Sequence, residues 1–172
     1  MTTIVAKSVP FAELSEALQS AFQYWDNLRG DRFAPSWNEF ELLSLPHQLL
    51  PTVLVADCLA GGAEFKFRYY GSGFTKIHGV DLTGQSPLAV PLKNFGEFIN
   101  DEFLKVFSQK KPNFVVFGYT NVKGFHALQR SVRLPLSDDG LSVSQIVSVV
   151  QLPSGYQEVH DEIENLKREQ NE

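Results

Sequence analysis

Arg130 and Gln145 stand where strand periodicity supplies mostly apolar neighbours. Within Phe125–Pro135, alternation places His126, Leu128, Arg130, Val132 and Leu134 on one face, and Ala127, Gln129, Ser131 and Arg133 on the other. The first set is the more apolar and is expected to face the core. Within Leu141–Leu152, Gln145 shares a face with Val143, Val147 and Val149. A guanidinium and an amide among aliphatic side chains need partners. Two arrangements supply them. One is a cavity in which Arg130 and Gln145 orient an anionic or polar ligand. The other is an internal ion pair, with Asp57 or Asp101 as partners for Arg130.

A second candidate is Phe67–Gly84, FRYYGSGFTKIHGVDLTG, with four glycines and one histidine, His78. Phosphate-cradling glycines open a helix directly after a parallel strand. The strand preceding these reads as antiparallel, so the glycines are corners, with Asp81 and Thr83 bonding local backbone. Asp138-Asp139-Gly140 reads as a hairpin turn, because the following residues lack the oxygen ligands of a calcium loop. The chain holds no Gly-x-Ser-x-Gly, His-Glu-x-x-His or phosphate-loop signature, which argues against an enzyme. The one catalytic pairing worth testing is Asp57 with His126, in a small cone-shaped α+β enzyme.

Composition narrows the classes further. Of 172 residues, 43% are hydrophobic and fourteen are phenylalanine, enough for a core or an aromatic-lined cavity. The net charge is -5, and Ser154–Glu172 carries six acids against two bases. The rest is nearly neutral with no basic block, so nucleic acid is not an expected partner. The single cysteine, Cys58, allows no internal disulfide and suits a reducing cytoplasm. No run approaches the ~20 apolar residues of a membrane span, and MTTIVAKSVPF lacks signal-peptide character.

The elements that would position these side chains follow from periodicity. Phe11, Leu14, Leu18, Ala21, Phe22, Trp25 and Leu28 mark an amphipathic helix over 9–28, with Ser8 as its cap. Residues 30–50 are irregular. Strands are predicted at Thr52–Cys58 and Glu64–Tyr70, with Phe65, Phe67 and Tyr69 inward and Tyr70 outward. Short helical segments cover 72–91 and a longer helix Leu92–Gln109. Three further strands follow at Asn113–Asn121, Phe125–Pro135 and Leu141–Leu152, the first two joined by a turn at Val122-Lys123-Gly124. A helix capped by Ser154 closes the chain, with Tyr156, Val159, Ile163 and Leu166 as its stripe.

This order resembles a PAS domain, an α+β fold in which helices pack over one face of a five-stranded antiparallel sheet. Terminal helices are added here. The local wording is similar to a family of small bacterial single-domain PAS-like proteins. The matching pieces are YWDNLRGDRFAPSWNEF at Tyr24–Phe40, LPHQLLPTVLVAD at Leu45–Asp57, FRYYGSG at Phe67–Gly73, GVDLTGQ at Gly79–Gln85 and LPLSDDG at Leu134–Gly140. Tyr70 and Ser72 depart from that pattern, which usually has Leu or Val and then Thr.

The resemblance implies a sensory or signalling protein that binds a small ligand or acts as an adaptor through protein contacts. The alternative is a pure interaction module with a solid core. The expected division is 1–44, an N-terminal helix and cover; 45–153, the PAS-like core; and 154–172, an acidic helix. The cavity is expected between the sheet and residues 72–109. Its candidate lining is Phe65, Phe67, Tyr69, His78, Phe117, Tyr119, His126, Leu128, Arg130 and Gln145. Haem is disfavoured because Leu92–Gln109 holds no histidine, and flavin photochemistry because Cys58 falls on a strand. Partners are expected to be a small molecule, a signalling protein, or a second copy docked through the terminal helices, with Phe22 and Trp25 as contacts.

Overall fold

The computed structural model describes residues 3–120 and 126–172. The sheet order is β1-β4-β5-β6-β2-β3, antiparallel throughout. Its strands are β1 (Thr3–Ser8), β2 (Val53–Leu59), β3 (Glu64–Tyr70), β4 (Asn113–Thr120), β5 (His126–Leu136) and β6 (Gln145–Gln151). Four α-helices accompany them among the described residues: α1 (Glu16–Arg29), α2 (Ser72–His78), α3 (Lys93–Gln109) and α4 (Tyr156–Gln170). The expected turn at Val122-Lys123-Gly124 lies outside the described residues.

The sheet has six strands rather than the expected five. β1 adds to the edge by pairing with β4, from Thr3 opposite Thr120 to Ser8 opposite Val115. It ties the segment before residue 45 into the same sheet as the core, across the expected boundary. The first helix also begins later than periodicity suggested. Leu14 is extended, and Ser15, not Ser8, is the cap, its hydroxyl accepting from the Leu18 N–H at 3.3 Å. β6 begins four residues late because the Asp139 carboxylate accepts the N–H groups of Leu141 and Ser142, both at 2.8 Å, and holds them in the turn. At α4 the cap is Gly155, without a side-chain hydrogen bond, in place of Ser154.

Both faces of the sheet are covered. Phe65, Phe67, Phe74, Phe103 and Ile146 bury one face under α2 and α3. Leu18, Trp25, Val132, Leu134, Val147 and Ile163 bury the other under α1, the irregular segment and α4. The terminal helices therefore spend their apolar stripes on their own domain. Leu18, Ala21 and Trp25 are buried in α1, and the Trp25 indole N–H donates to the Pro135 carbonyl at 2.7 Å. Val159, Ile163 and Leu166 are buried in α4. A close approach makes the α4 contact possible: a Cβ on Gly118 would meet Ile163 at 2.6 Å.

The ladder between β2 and β3 is irregular at one point. Leu54 pairs with Tyr70 and Val55 with Tyr69, but Ala56 pairs with Phe67, so β3 carries an extra residue. Such a bulge reverses the alternation beyond it. Tyr69 turns outward at 38% exposure, and Tyr70 turns inward at 6%.

Candidate functional site

Between the sheet and the α2–α3 layer lies a small, partly open space. Its walls are aromatic and aliphatic, including Phe67, Phe74, Phe95, Ile99, Phe103 and Val150. Gln129, Arg133 and Ser148 supply polar groups from the sheet, while Tyr70 comes from the end of β3 and His78 from the end of α2. The centre of a water-sized sphere can occupy about 20 Å³. That is just above the ~10–15 Å³ a single water requires.

Arg133 and Ser148 are opposite each other across β5 and β6. They are 1% and 2% exposed. The guanidinium lies 5.8 Å from the Phe117 ring centroid, and its Nη1 is 3.5 Å from Glu102 Oε2. That distance makes an ion pair but no hydrogen bond, and Arg133 Nε and Nη1 and Ser148 Oγ have no hydrogen-bond partner. These are three of the six such buried side-chain atoms among the described residues, and they converge on one cavity. Burial pulls the Arg133 guanidinium down to about 10 against the opposing pull of Glu102, which still leaves it charged near neutral pH. Glu102 is itself buried on α3; its Oε1 accepts from Lys105 Nζ at 2.5 Å and its Oε2 from Asn113 Nδ2 at 3.0 Å.

At the other side, Tyr70 Oη is 2.5 Å from His78 Nδ1. The His78 ring stacks near Phe74 at 6.1 Å and meets Phe95 edge-on at 6.0 Å. Burial lowers the histidine's affinity for a proton and pushes the Tyr70 phenol up to about 12. With the ring neutral, the phenol donates and Nδ1 accepts.

Of the residues the sequence suggested, Phe67 and His78 line this space. Phe65, Phe117 and Tyr119 are buried in the same aromatic cluster behind it. Tyr69 is displaced from it by the bulge. Leu128 sits in the core of the opposite face, and Gln145, Arg130 and His126 share its side of the sheet. The expectation that these four line the cavity is thus corrected. Arg130 pairs with Glu158 at 3.4 Å and with Glu162, both on α4, rather than with Asp57 or Asp101. Gln145 Nε2 donates to Asp138 Oδ2 at 3.4 Å. His126 bonds the Thr120 hydroxyl at 2.8 Å, and its ring centroid is 5.2 Å from that of His160.

The Asp57–His126 pairing also fails. Asp57 pairs with Gln145, which pairs with Leu136, so His126 lies ten residues further along β5, ~33 Å away at ~3.3 Å per residue. Asp57 instead holds Arg68 at 2.8 Å. Cys58 does not line the cavity, and burial, then the Asp57 charge, push its thiol up to about 12, which makes it a poor nucleophile. The Asp139 oxygens are consumed by local donors, in keeping with a turn. Among the described residues, no cluster of three or more His, Cys, Asp or Glu could hold a metal ion, and no helix is long and apolar enough to cross a membrane.

What sequence reasoning missed is Gln129, Arg133, Ser148 and the inward turn of Tyr70. A usable signal was QIVSVVQ in β6, where the four apolar residues, Ile146, Val147, Val149 and Val150, fall on both faces. A strand buried on both faces forces its neighbour's polar face inside as well.

The PAS domain sequence family matches residues 14–149. Among solved structures, the chain is similar to the PAS domain of BvgS from Bordetella pertussis, at 17% identity and a TM-score of 0.48, over 68% of this chain and 87% of that one. It is similar to the light-state LOV domain of the blue-light photoreceptor aureochrome1, at 15% identity and 0.48, over 70% and 91%. An RNA-binding light-oxygen-voltage receptor matches at 11% identity and 0.48, over 99% of this chain and 44% of that one. No curated protein matches the sequence.

Proposed function

The chain belongs to the PAS domain family, and from that premise we propose that it is a sensory or signalling domain that takes a small molecule between its sheet and the α2–α3 layer. One observation carries this reading: an aromatic cavity retains two almost wholly buried residues, Arg133 and Ser148, with unpaired polar atoms. Each such atom costs ~1–3 kcal/mol when it finds no partner. Packing alone is better served by apolar side chains, so the polar pair fits a polar guest. A space of about 20 Å³ holds little more than one water as it stands, so it favours the smallest guests and admits no flavin or haem ring without displacing its walls. The test is native mass spectrometry of the purified chain, with an absorbance spectrum of the same sample. A small added mass lost on denaturation, without flavin or haem bands, is expected. A bare chain whose melting temperature no small metabolite raises would end this reading.

The small size of the space favours a second reading, an adaptor that acts through protein contacts. Ser148→Val, which fills the cavity, separates the two. Loss of ligand-dependent behaviour supports the sensor; unchanged signalling with a filled cavity supports the adaptor. A homodimer would use the outer sides of α1 and α4, since their apolar stripes are buried, and sedimentation velocity measures it. A cytoplasmic location accords with a single, unreactive cysteine.

A further inference from the structure

We infer that the guest of this cavity is a small carboxylate, seated head-first on Arg133 and Ser148. This rests on the cavity being a ligand site and adds the ligand's charge and class.

The charge follows from counting ionic groups around Glu102. Lys105 and Arg133 both approach that one carboxylate, at 2.5 and 3.5 Å. Two cations sharing one anion leave one positive charge over. Lys105 is largely solvated, with its side chain 59% exposed, whereas Arg133 is enclosed. Lys105 and Asn113 hold the better hydrogen bonds to Glu102, so the guanidinium is left with donors to offer. The three groups together carry one surplus positive charge, and a monoanion seated on the free Arg133 donors cancels it, whereas a dianion would reverse its sign.

Geometry selects the head group. The planar guanidinium fork matches two carboxylate oxygens. The Phe117 ring covers the guanidinium from one side, 5.8 Å to its centroid. Ser148, its register partner, adds a rotatable hydroxyl donor. The surrounding Phe67, Phe74, Phe103 and Val150 suit a short aliphatic body. The space is little more than that of one water, so even the shortest acids need the surrounding side chains to give way, and longer bodies need more.

The experiment titrates the full chain with acetate and propanoate, against acetamide, propanamide and inorganic phosphate at constant ionic strength, by calorimetry and thermal shift. The acids should raise the melting temperature while amides and phosphate do not. Arg133→Gln should weaken acid binding about tenfold or more, as loss of a charged hydrogen bond implies. Ser148→Ala removes one hydroxyl from the strand and should weaken it several-fold; it decides the matter where Arg133→Gln fails to fold. Amides binding as tightly as acids, or Ser148→Ala leaving acid affinity unchanged, overturns the carboxylate while the cavity stands. A neutral guest in native mass spectrometry does the same. A chain that binds no guest of any kind overturns both.

Discussion

Tyr70 and His78 are joined by a 2.5 Å hydrogen bond that spans the junction of β3 and α2. The bond exists because the bulge in β3 turns Tyr70 inward, where regular alternation would have placed Tyr69. α2 starts where Gly71 passes so near the Pro51 carbonyl that a Cβ would lie 2.3 Å from its oxygen. The phenol thus fastens the far end of a seven-residue helix whose near end is fixed by backbone contact.

Tyr70→Phe removes the donor and leaves a half-buried imidazole nitrogen unsatisfied. We expect a loss of ~1 kcal/mol, at the low end for such a group because His78 keeps some solvent access. Urea unfolding with an unchanged m-value is the check. A variant as stable as the parent would show that the bond does not hold α2.

The same histidine predicts a pH dependence. Burial lowers its pKa in the folded state below the ordinary 6.5, and its ring neighbours Tyr70, Phe74 and Phe95 carry no counter-charge. Asp81, which acts on the Tyr70 phenol, is the nearby acid and is bonded to Thr83. The unfolded chain therefore binds the proton more readily. The stability that the neutral ring supplies is full above 6.5 and declines as the pH falls below it toward the folded pKa. His78→Phe should flatten the stability profile in that window, while the parent slopes downward; parallel profiles would assign the slope elsewhere.

The fold could be read from the sequence further than the site could. β3 and β4 begin, and α3 ends, at their expected residues because Phe65, Phe67, Phe95, Ile99 and Phe103 repeat cleanly. Asp81 accepts the Thr83 backbone N–H at 2.9 Å, as its type and spacing suggested, while the Thr83 hydroxyl donates to the Asp81 carboxylate at 2.7 Å rather than bonding backbone. The site failed on phase. In β5 the apolar set, Leu128, Val132 and Leu134, does face a core, but it is the core under α1 and α4. Gln129, Ser131 and Arg133 looked solvent-facing because they are polar, and they are buried. One-sided alternation assumes one wet face, and β5 has none. The bulge is less legible still: nothing in EFKFRYY distinguishes which tyrosine turns inward.

α4 is held by fit as much as by charge, since Ile163 occupies the space above Gly118. Gly118→Ala would place a methyl 2.6 Å from Ile163 Cγ1 and should cost ~1–3 kcal/mol, as overpacking does. Ile163→Ala alone should cost ~2–5 kcal/mol. The double variant should lose less than the sum, because the new methyl enters the vacated space. Hydrogen exchange along α4 reads this directly, and strict additivity would mean the helix has already shifted away.

Arg130 offers an electrostatic counterpart on the same helix. Its guanidinium reaches Glu158 and Glu162, with about a fifth of its side chain exposed. Such a partly solvated pair contributes ~1 kcal/mol or less. Arg130→Gln should therefore release α4 slightly, and salt should reproduce the effect in the parent but not in the variant. Protease sensitivity of α4 against sodium chloride concentration checks it; equal salt responses would remove Arg130 from the account.

The Arg133–Glu102 pair should behave oppositely, because it is enclosed. Salt cannot screen it, and Glu102→Gln would leave a buried guanidinium facing only amides, a loss of ~3–5 kcal/mol by the measure of broken buried pairs. Replacing both partners, as in Glu102→Leu with Arg133→Met, leaves no lone buried charge and should recover much of that loss. A denaturation cycle over the four proteins gives the coupling. Strong positive coupling shows that Arg133 needs an anion. Near-zero coupling would mean that Glu102 is not what neutralises Arg133 in the folded chain, and the excess charge assigned to the cavity would have to be counted without it.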